Sequence, residues 1–382
     1  MNVSPVLRET GTYPFVKLDE AKRRLRAEGV QLIDFGKGDP REPTDPRIRE
    51  ALVAGLTRIS SYPLAEGLPE LRQAVARWCK RRFGVELDPA TELVPTYGSK
   101  EAIFLLAQVL VDRDSDKRLV VTTEPGYPVP ERGAAFAGAD IVQLPLREED
   151  GFLPDLHAVD TDTWARAAIV WINYPNNPTG AVAPLEFLAR LAELSREHDF
   201  LVASDEAYTE LWFDEPPHSA LEVRRLGNVC VFNTLSKRSS MTGYRSGFVA
   251  ADPELIAALK QFRPSVGTAP QEFVQLASVV AWDDEEHVER TREVYRRKRE
   301  VLLPVLERKG VRLAGGAATM YLWLAVPEGE TSEQLAGRLL EHGLVVSPGS
   351  FFGAAGEGYW RIALVPTLEE CGRAAEILEH ML

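Results

Sequence analysis

Cysteine is scarce in this chain. Cys79, Cys230 and Cys371 are the only three in 382 residues. Odd in number and far apart, they read as reduced core thiols of a cytoplasmic protein, not as a disulfide frame. Histidine is sparse too, and its six residues are scattered without the spacing of a metal set. Basic charge is short: 44 Lys and Arg stand against 57 Asp and Glu, a net charge of −13. Nonspecific nucleic-acid binding needs a basic surface that displaces counterions, so no nucleic-acid partner is expected. No apolar run approaches the ~18 residues of a membrane-spanning helix, so no membrane partner is expected either. The opening Met1-Asn2-Val3-Ser4-Pro5 has no basic segment followed by an apolar one, which predicts no secretion signal. The motifs GxxxxGK[ST], HExxH, CxxC and GxSxG are missing. Gly36-Lys37-Gly38-Asp39 lacks the strand-to-helix GxGxxG of a dinucleotide site.

What is present is an ordinary globular balance, 45% apolar, in a chain long enough for about two or three domains at ~150 residues each. Four continuous apolar runs read as buried strands: 119–123, 168–173, 200–204 and 229–233. Separated by helical segments, they predict a largely parallel sheet covered on both faces, hence an α/β fold. Pro69 near the start and Gly84 at the end bracket one helix. Residues 101–111 and 185–198 have apolar positions at helical spacing. After about residue 253 the texture changes. A charged helix over 284–309 precedes strands at 318–324, 344–346 and 359–364, with helices at 332–341 and the carboxyl terminus. The reading is a large α/β domain, 41–255, and a smaller α/β domain, 256–382, with the segment 1–40 packing on the smaller one.

The chemistry concentrates in 233–248, Asn-Thr-Leu-Ser-Lys-Arg-Ser-Ser-Met-Thr-Gly-Tyr-Arg-Ser-Gly-Phe. Lys237 follows an apolar strand end and is flanked by hydroxyls. Held dry, such an amine is nucleophilic, as a Schiff-base lysine must be. Arg245, eight residues on, can fork onto a phosphate, with Ser236 and Thr234 offering hydroxyls. Asn177, in 173–180, and Asp205, in 203–208, end the two preceding strands. Three strand ends thus converge where open α/β sheets bind ligands. A pyridine cofactor needs a carboxylate for its ring nitrogen, donors for its phenolic oxygen, an anion cradle and a lysine. Asp205, Asn177 with Tyr208, Arg245 with a glycine turn, and Lys237 match those needs in order.

This combination resembles the aspartate aminotransferase family, the class I/II aminotransferases of fold type I, over nearly the whole chain. The resemblance implies pyridoxal 5′-phosphate as cofactor. It implies that Lys237 bonds the cofactor aldehyde and acts as general base, and that Asp205 holds the pyridinium proton. Asn177 and Tyr208 would bond the phenolic oxygen, and Gly98-Ser99-Lys100 would present backbone amides to the phosphate at a helix start. Tyr127 would stack on the ring. Tyr62 would reach the phosphate of a neighbouring subunit, implying a homodimer with shared active sites. Arg361 would fork onto the substrate α-carboxylate, with Gly38 offering a backbone amide.

Within the family, 13–18, 236–239, 245–250, 281–288, 348–352 and 361–366 are similar to the succinyldiaminopimelate transaminases; Thr242 and Tyr244 depart from that pattern. The implied reaction passes the amino group of glutamate, leaving 2-oxoglutarate, to N-succinyl-2-amino-6-oxopimelate. Such a poly-carboxylate calls for a second cation, for which Lys37, Arg41 and Arg238 are candidates. The alternatives are transamination of aspartate, alanine or diaminopimelate, or a β-lyase reaction on the same cofactor.

Overall fold

The four apolar runs become neighbouring strands at the centre of one sheet. The computed structural model describes residues 2–9, 15–59, 61–267 and 269–382; residues 1 and 10–14 of the expected 1–40 segment lie outside that set. Among the described residues thirteen strands form three sheets. Strand β1 (Ile33–Asp34) belongs to the smallest. The seven-stranded sheet contains β2 (Leu93–Thr96), β3 (Leu119–Glu124), β4 (Asp140–Pro145), β5 (Ala167–Asn173), β6 (Leu201–Asp205), β7 (Val229–Thr234) and β8 (Gly247–Ala250). Their spatial order is β2-β8-β7-β6-β5-β3-β4. Neighbours pair in parallel except around β8, which is antiparallel to both β2 and β7.

Val120, Ile169, Ala203, Phe232 and Val249 pack into one core, while Val121, Val170, Val202, Val231 and Phe248 pack into another. Alternate residues therefore face two covering layers, so a strand here is apolar at every position. Edge strand β4 is only half covered, and its residues alternate between partly buried and exposed. Helix Pro69–Phe83 starts on its proline and ends at Gly84, left-handed at φ 69°. A core also continues past residue 255. Ala277, Ala281 and Trp282 of helix Glu272–Asp283 share it with the large sheet; the charge-rich texture begins only after that apolar helix.

The third sheet holds β9 (Leu313–Gly315) and β10 (Tyr321–Ala325). Strand β11 (Leu344–Val345) pairs in parallel with β1, placing Ile33 opposite Leu344. Strands β12 (Ser347–Pro348) and β13 (Tyr359–Ala363) complete the order β12-β13-β10-β9. The strand expected over 318–324 begins only at Tyr321. Thr319 adopts φ 72°, a left-handed conformation that interrupts extended backbone. No helix among the described residues is long and apolar enough to cross a membrane.

Candidate active site

Strands β5, β6 and β7 end side by side, with Asn173 opposite Asp205 and Asp205 opposite Phe232. Beyond these ends opens a cavity of about 330 Å³. Of the fourteen residues picked out from sequence, twelve line it; Gly98 and Tyr62 do not. Helix Leu235–Arg238 carries Lys237 directly off β7. The Thr234 hydroxyl accepts the Ser236 N–H at 3.1 Å and donates to Ser246 O at 2.8 Å. Thr234 thus serves as the helix cap, and its hydroxyl is committed inside the protein. Lys237 Nζ donates to Gly38 O at 2.5 Å. Burial lowers its amine from 10.5 to about 8, with the Asp39 charge opposing and the Arg361 and Arg245 charges adding.

Asp205 is buried, and desolvation raises its carboxyl from 3.8 to about 7 against the opposing Ala207 N–H and Lys237 charge. That N–H, at 3.2 Å, is the one hydrogen bond to its carboxylate oxygens among the described residues. Asn173, which sequence reasoning passed over, ties the strand ends together: its Nδ2 donates to Asp205 O at 2.8 Å and its Oδ1 accepts the Asn177 N–H at 2.8 Å. Arg361 reaches in from β13, donating to Asn177 Oδ1 at 2.7 Å and to Gly36 O at 2.8 Å. With Oδ1 engaged there, Nδ2 is the donor Asn177 keeps for a cavity ligand.

Tyr321 is a second residue that no local motif announced. Its ring lies 4.1 Å from the Arg361 guanidinium, and its hydroxyl shares a 2.8 Å hydrogen bond with that of Tyr208. A Cβ on Gly38 would sit 1.9 Å from the Tyr321 hydroxyl, so any side chain there would have to displace the Tyr321 ring.

At the other end, Ser99 and Lys100 open helix Ser99–Leu110 behind its cap Gly98. Gly98 holds φ 72°, a left-handed conformation that favours glycine, and Arg245 Nη2 lies where a Cβ would point. Arg245 donates to Thr242 O at 2.9 Å and to Tyr97 O at 3.3 Å. The Lys100 amine is lowered by burial, then by the charges of Arg245 and Arg132. Two cations, a helix start and the Ser236 hydroxyl therefore border one corner of the cavity. Tyr127 lines it too.

The three cations considered for a distal carboxylate part company. Arg238 does not line the cavity; it is buried and packs against Trp78 and Trp282. Arg41 pairs with Glu370 at 3.0 Å, outside the lining. Lys37 does line it, paired with Asp19 at 2.5 Å. Tyr62 is fully exposed.

A family profile for aminotransferase class I and II matches residues 30–378. The chain belongs to the class I and II aminotransferases. It is 41% identical to the LL-diaminopimelate aminotransferase of Aquifex aeolicus, over 97% of this chain and 96% of that one. A "probable N-succinyldiaminopimelate aminotransferase" from Thermus thermophilus is 33% identical, covering 96% of this chain and all of its own, with a TM-score of 0.88. A single mutant of Thermus thermophilus aspartate aminotransferase is 30% identical over the whole of both chains, with a TM-score of 0.92.

The aminotransferase uses pyridoxal 5′-phosphate, and its residues fit that group. Asp205 is a buried carboxyl with no cation bonded to it among the described residues, and a protonated pyridine nitrogen would supply one. The Arg245–Lys100 corner gathers positive charge that a phosphate dianion would balance. Lys237, dry and lowered toward neutrality, suits an aldehyde.

Proposed function

We propose that this aminotransferase moves an amino group between glutamate and free diaminopimelate, with Lys237 as the reactive amine. The cofactor, when bound, supplies an electrophilic carbon for the amino group and a ring that takes up the electron pair of the substrate α-carbon. With Lys237 at about 8, about one amine in ten is neutral at pH 7, against about one in three thousand at the ordinary value. Its Nζ therefore takes the α-proton and returns it, as a general base working near its own pKa. Asp205 would hold a negative charge for the ring nitrogen of the bound cofactor. Arg361 forks onto the α-carboxylate, and the Tyr321 and Phe352 rings beneath its guanidinium hold it flat and dry.

The observation that carries the substrate is the 41% identity, along 97% of the chain, to a protein named LL-diaminopimelate aminotransferase. The cavity wall supports it. Lys37 and Asp39, one cation and one anion, flank Gly38 in the lining. Free diaminopimelate ends in a carboxylate and an ammonium, which that pair complements. The N-succinylated compound expected from sequence ends in two carboxylates and offers the exposed Asp39 carboxylate no ammonium to pair with. The likeness to the "probable N-succinyldiaminopimelate aminotransferase" favours that compound as the second reading.

With 2-oxoglutarate as acceptor, kcat/KM should be at least about tenfold higher for LL-diaminopimelate than for its N-succinyl derivative. A ratio well below one selects the second reading, and failure with both removes the diaminopimelate assignment.

The active unit in this proposal is a homodimer. Val53, Leu56, Ile59 and Leu64 are exposed apolar residues on the segment that carries the fully exposed Tyr62. A second copy covering them would bring Tyr62 to a neighbouring cavity.

A further inference from the structure

Two of the sequence stretches singled out above, 236–239 and 281–288, have no part in the cavity chemistry beyond Ser236 and Lys237. They meet in the fold. Arg238 Nη1 donates to Ala281 O at 2.5 Å, and Nη2 to Asp284 O at 3.2 Å. Nη2 also lies 2.8 Å from Glu285 Oε1. The guanidinium sits 5.2 Å from the Trp282 ring and 5.9 Å from that of Trp78. Ser239 closes the helical turn with its N–H on Leu235 O at 3.0 Å. Its Oγ is 2.8 Å from His287 Nε2, whose Nδ1 is 2.5 Å from Asp284 Oδ2. Arg47, on helix Pro46–Ala54, pairs with the same Asp284 at 2.9 Å.

A four-residue helix does not hold itself. Fixing one turn costs more backbone entropy than its single hydrogen bond returns. The direction of Lys237 is therefore set from outside, by Thr234 before it and by Arg238 and Ser239 after it. Ser239, His287 and Asp284 repeat the order of a hydrolase triad, but Ser239 is 2% exposed and follows directly on Arg238, which is buried in the core. A cation buried among indoles carries a desolvation cost of several kcal/mol unless its bonds are well made. Among the described residues, the groups in direct contact with that cation come from the junction between helices Glu272–Asp283 and Glu286–Arg308 or from the indoles beneath it, and the Glu210 charge adds to them from outside.

We propose that Arg238 and Ser239 are positioning residues for Lys237: anchored on the 281–287 junction, they keep its amine in the dry cavity. This rests on Lys237 being the reactive amine, which Lys237→Ala tests by itself. Arg238→Met keeps the packing against the indoles and removes the anchor. The charges that act on Lys237, those of Asp39, Arg361, Arg245 and Asp205, are left in place.

Two readouts separate positioning from plain stability. In cofactor-free protein labelled with ε-13C-lysine, the Lys237 signal is assigned by its loss in Lys237→Ala and titrated. Arg238→Met should raise its pKa from about 8 by at least half a unit. In the loaded enzyme, kcat should fall at least about tenfold while KM for glutamate stays within about twofold, because Arg361 is untouched. Arg238→Lys should recover part of both. A folded Arg238→Met protein with unchanged Lys237 titration and unchanged kcat overturns the proposal, whatever its melting temperature. If Arg238→Met does not fold, Ser239→Ala decides. It should shift the same titration upward by a smaller amount, and no shift overturns the proposal.

Discussion

Replacing Asp205 by asparagine in the cofactor-free protein should make it more stable, and only above about pH 4. Burial raises this carboxyl from 3.8 to about 7. The folded state then binds a proton that the unfolded chain has released, so stability falls as pH rises between those values. The displacement is about three pH units, and at 1.36 kcal/mol each it amounts to about 4 kcal/mol at neutral pH. Denatured-state compaction and local relaxation make that an upper figure. Glu206, also raised to about 7 by burial, adds a similar slope to both proteins and drops out of their difference. The assay is urea unfolding of cofactor-free wild type and Asp205→Asn from pH 4 to 8. Their difference should grow from near zero to a few kcal/mol in favour of the variant. Loaded with cofactor the order reverses, because the amide cannot neutralise the ring nitrogen. One lost charged hydrogen bond is worth ~1.5–3 kcal/mol, so kcat should drop at least about tenfold. A stability difference independent of pH would refute the account of Asp205 as a buried carboxyl awaiting a cation.

Lys237→Ala should remain folded yet show no half-reaction with glutamate, followed by the visible spectrum of the loaded protein; normal turnover would end its assignment as the reactive amine. Gly38→Ala places a methyl against the Tyr321 hydroxyl; overpacking of this kind costs about 1–3 kcal/mol, so melting should shift down and activity should fall together. Tyr321→Phe removes the bond to the Tyr208 hydroxyl but leaves the ring under Arg361. The phenol of Tyr208, raised by burial and then by Tyr321, should titrate lower, while KM for glutamate stays nearly constant. Mixing Tyr62→Phe with Lys237→Ala protein should restore activity through hybrid dimers, since one site then collects both defects and the other neither. No recovery above the parent mutants would place Tyr62 in the service of its own chain.

The chemistry of the site was legible wherever it is local. Lys237, Asp205 and Asn177 each follow a run of apolar residues, and a strand buried on both faces writes itself as such a run. Strand ends in a parallel sheet meet on one side, so three motifs far apart in the chain are brought together by the sheet order alone. Helix Pro69–Phe83 was equally plain because proline at its start and glycine at its end act on their own backbone. Tyr321 was not legible: its partner Tyr208 is 113 positions away, and no spacing rule links β10 to the turn after β6. The same holds for Asn173, whose Nδ2 bond crosses to Asp205 on the neighbouring strand. Arg238 stands next to Lys237 in sequence and reads as a cavity cation, yet neighbouring residues on one helical turn point in different directions. Which of them faces the cavity depends on where Trp78 and Trp282 pack. Local order and burial pattern determined the sheet, its strand ends and the residue types gathered there. Only tertiary structure decided which cations face the cavity, because side-chain direction on a one-turn helix is set by distant partners and not by the turn itself.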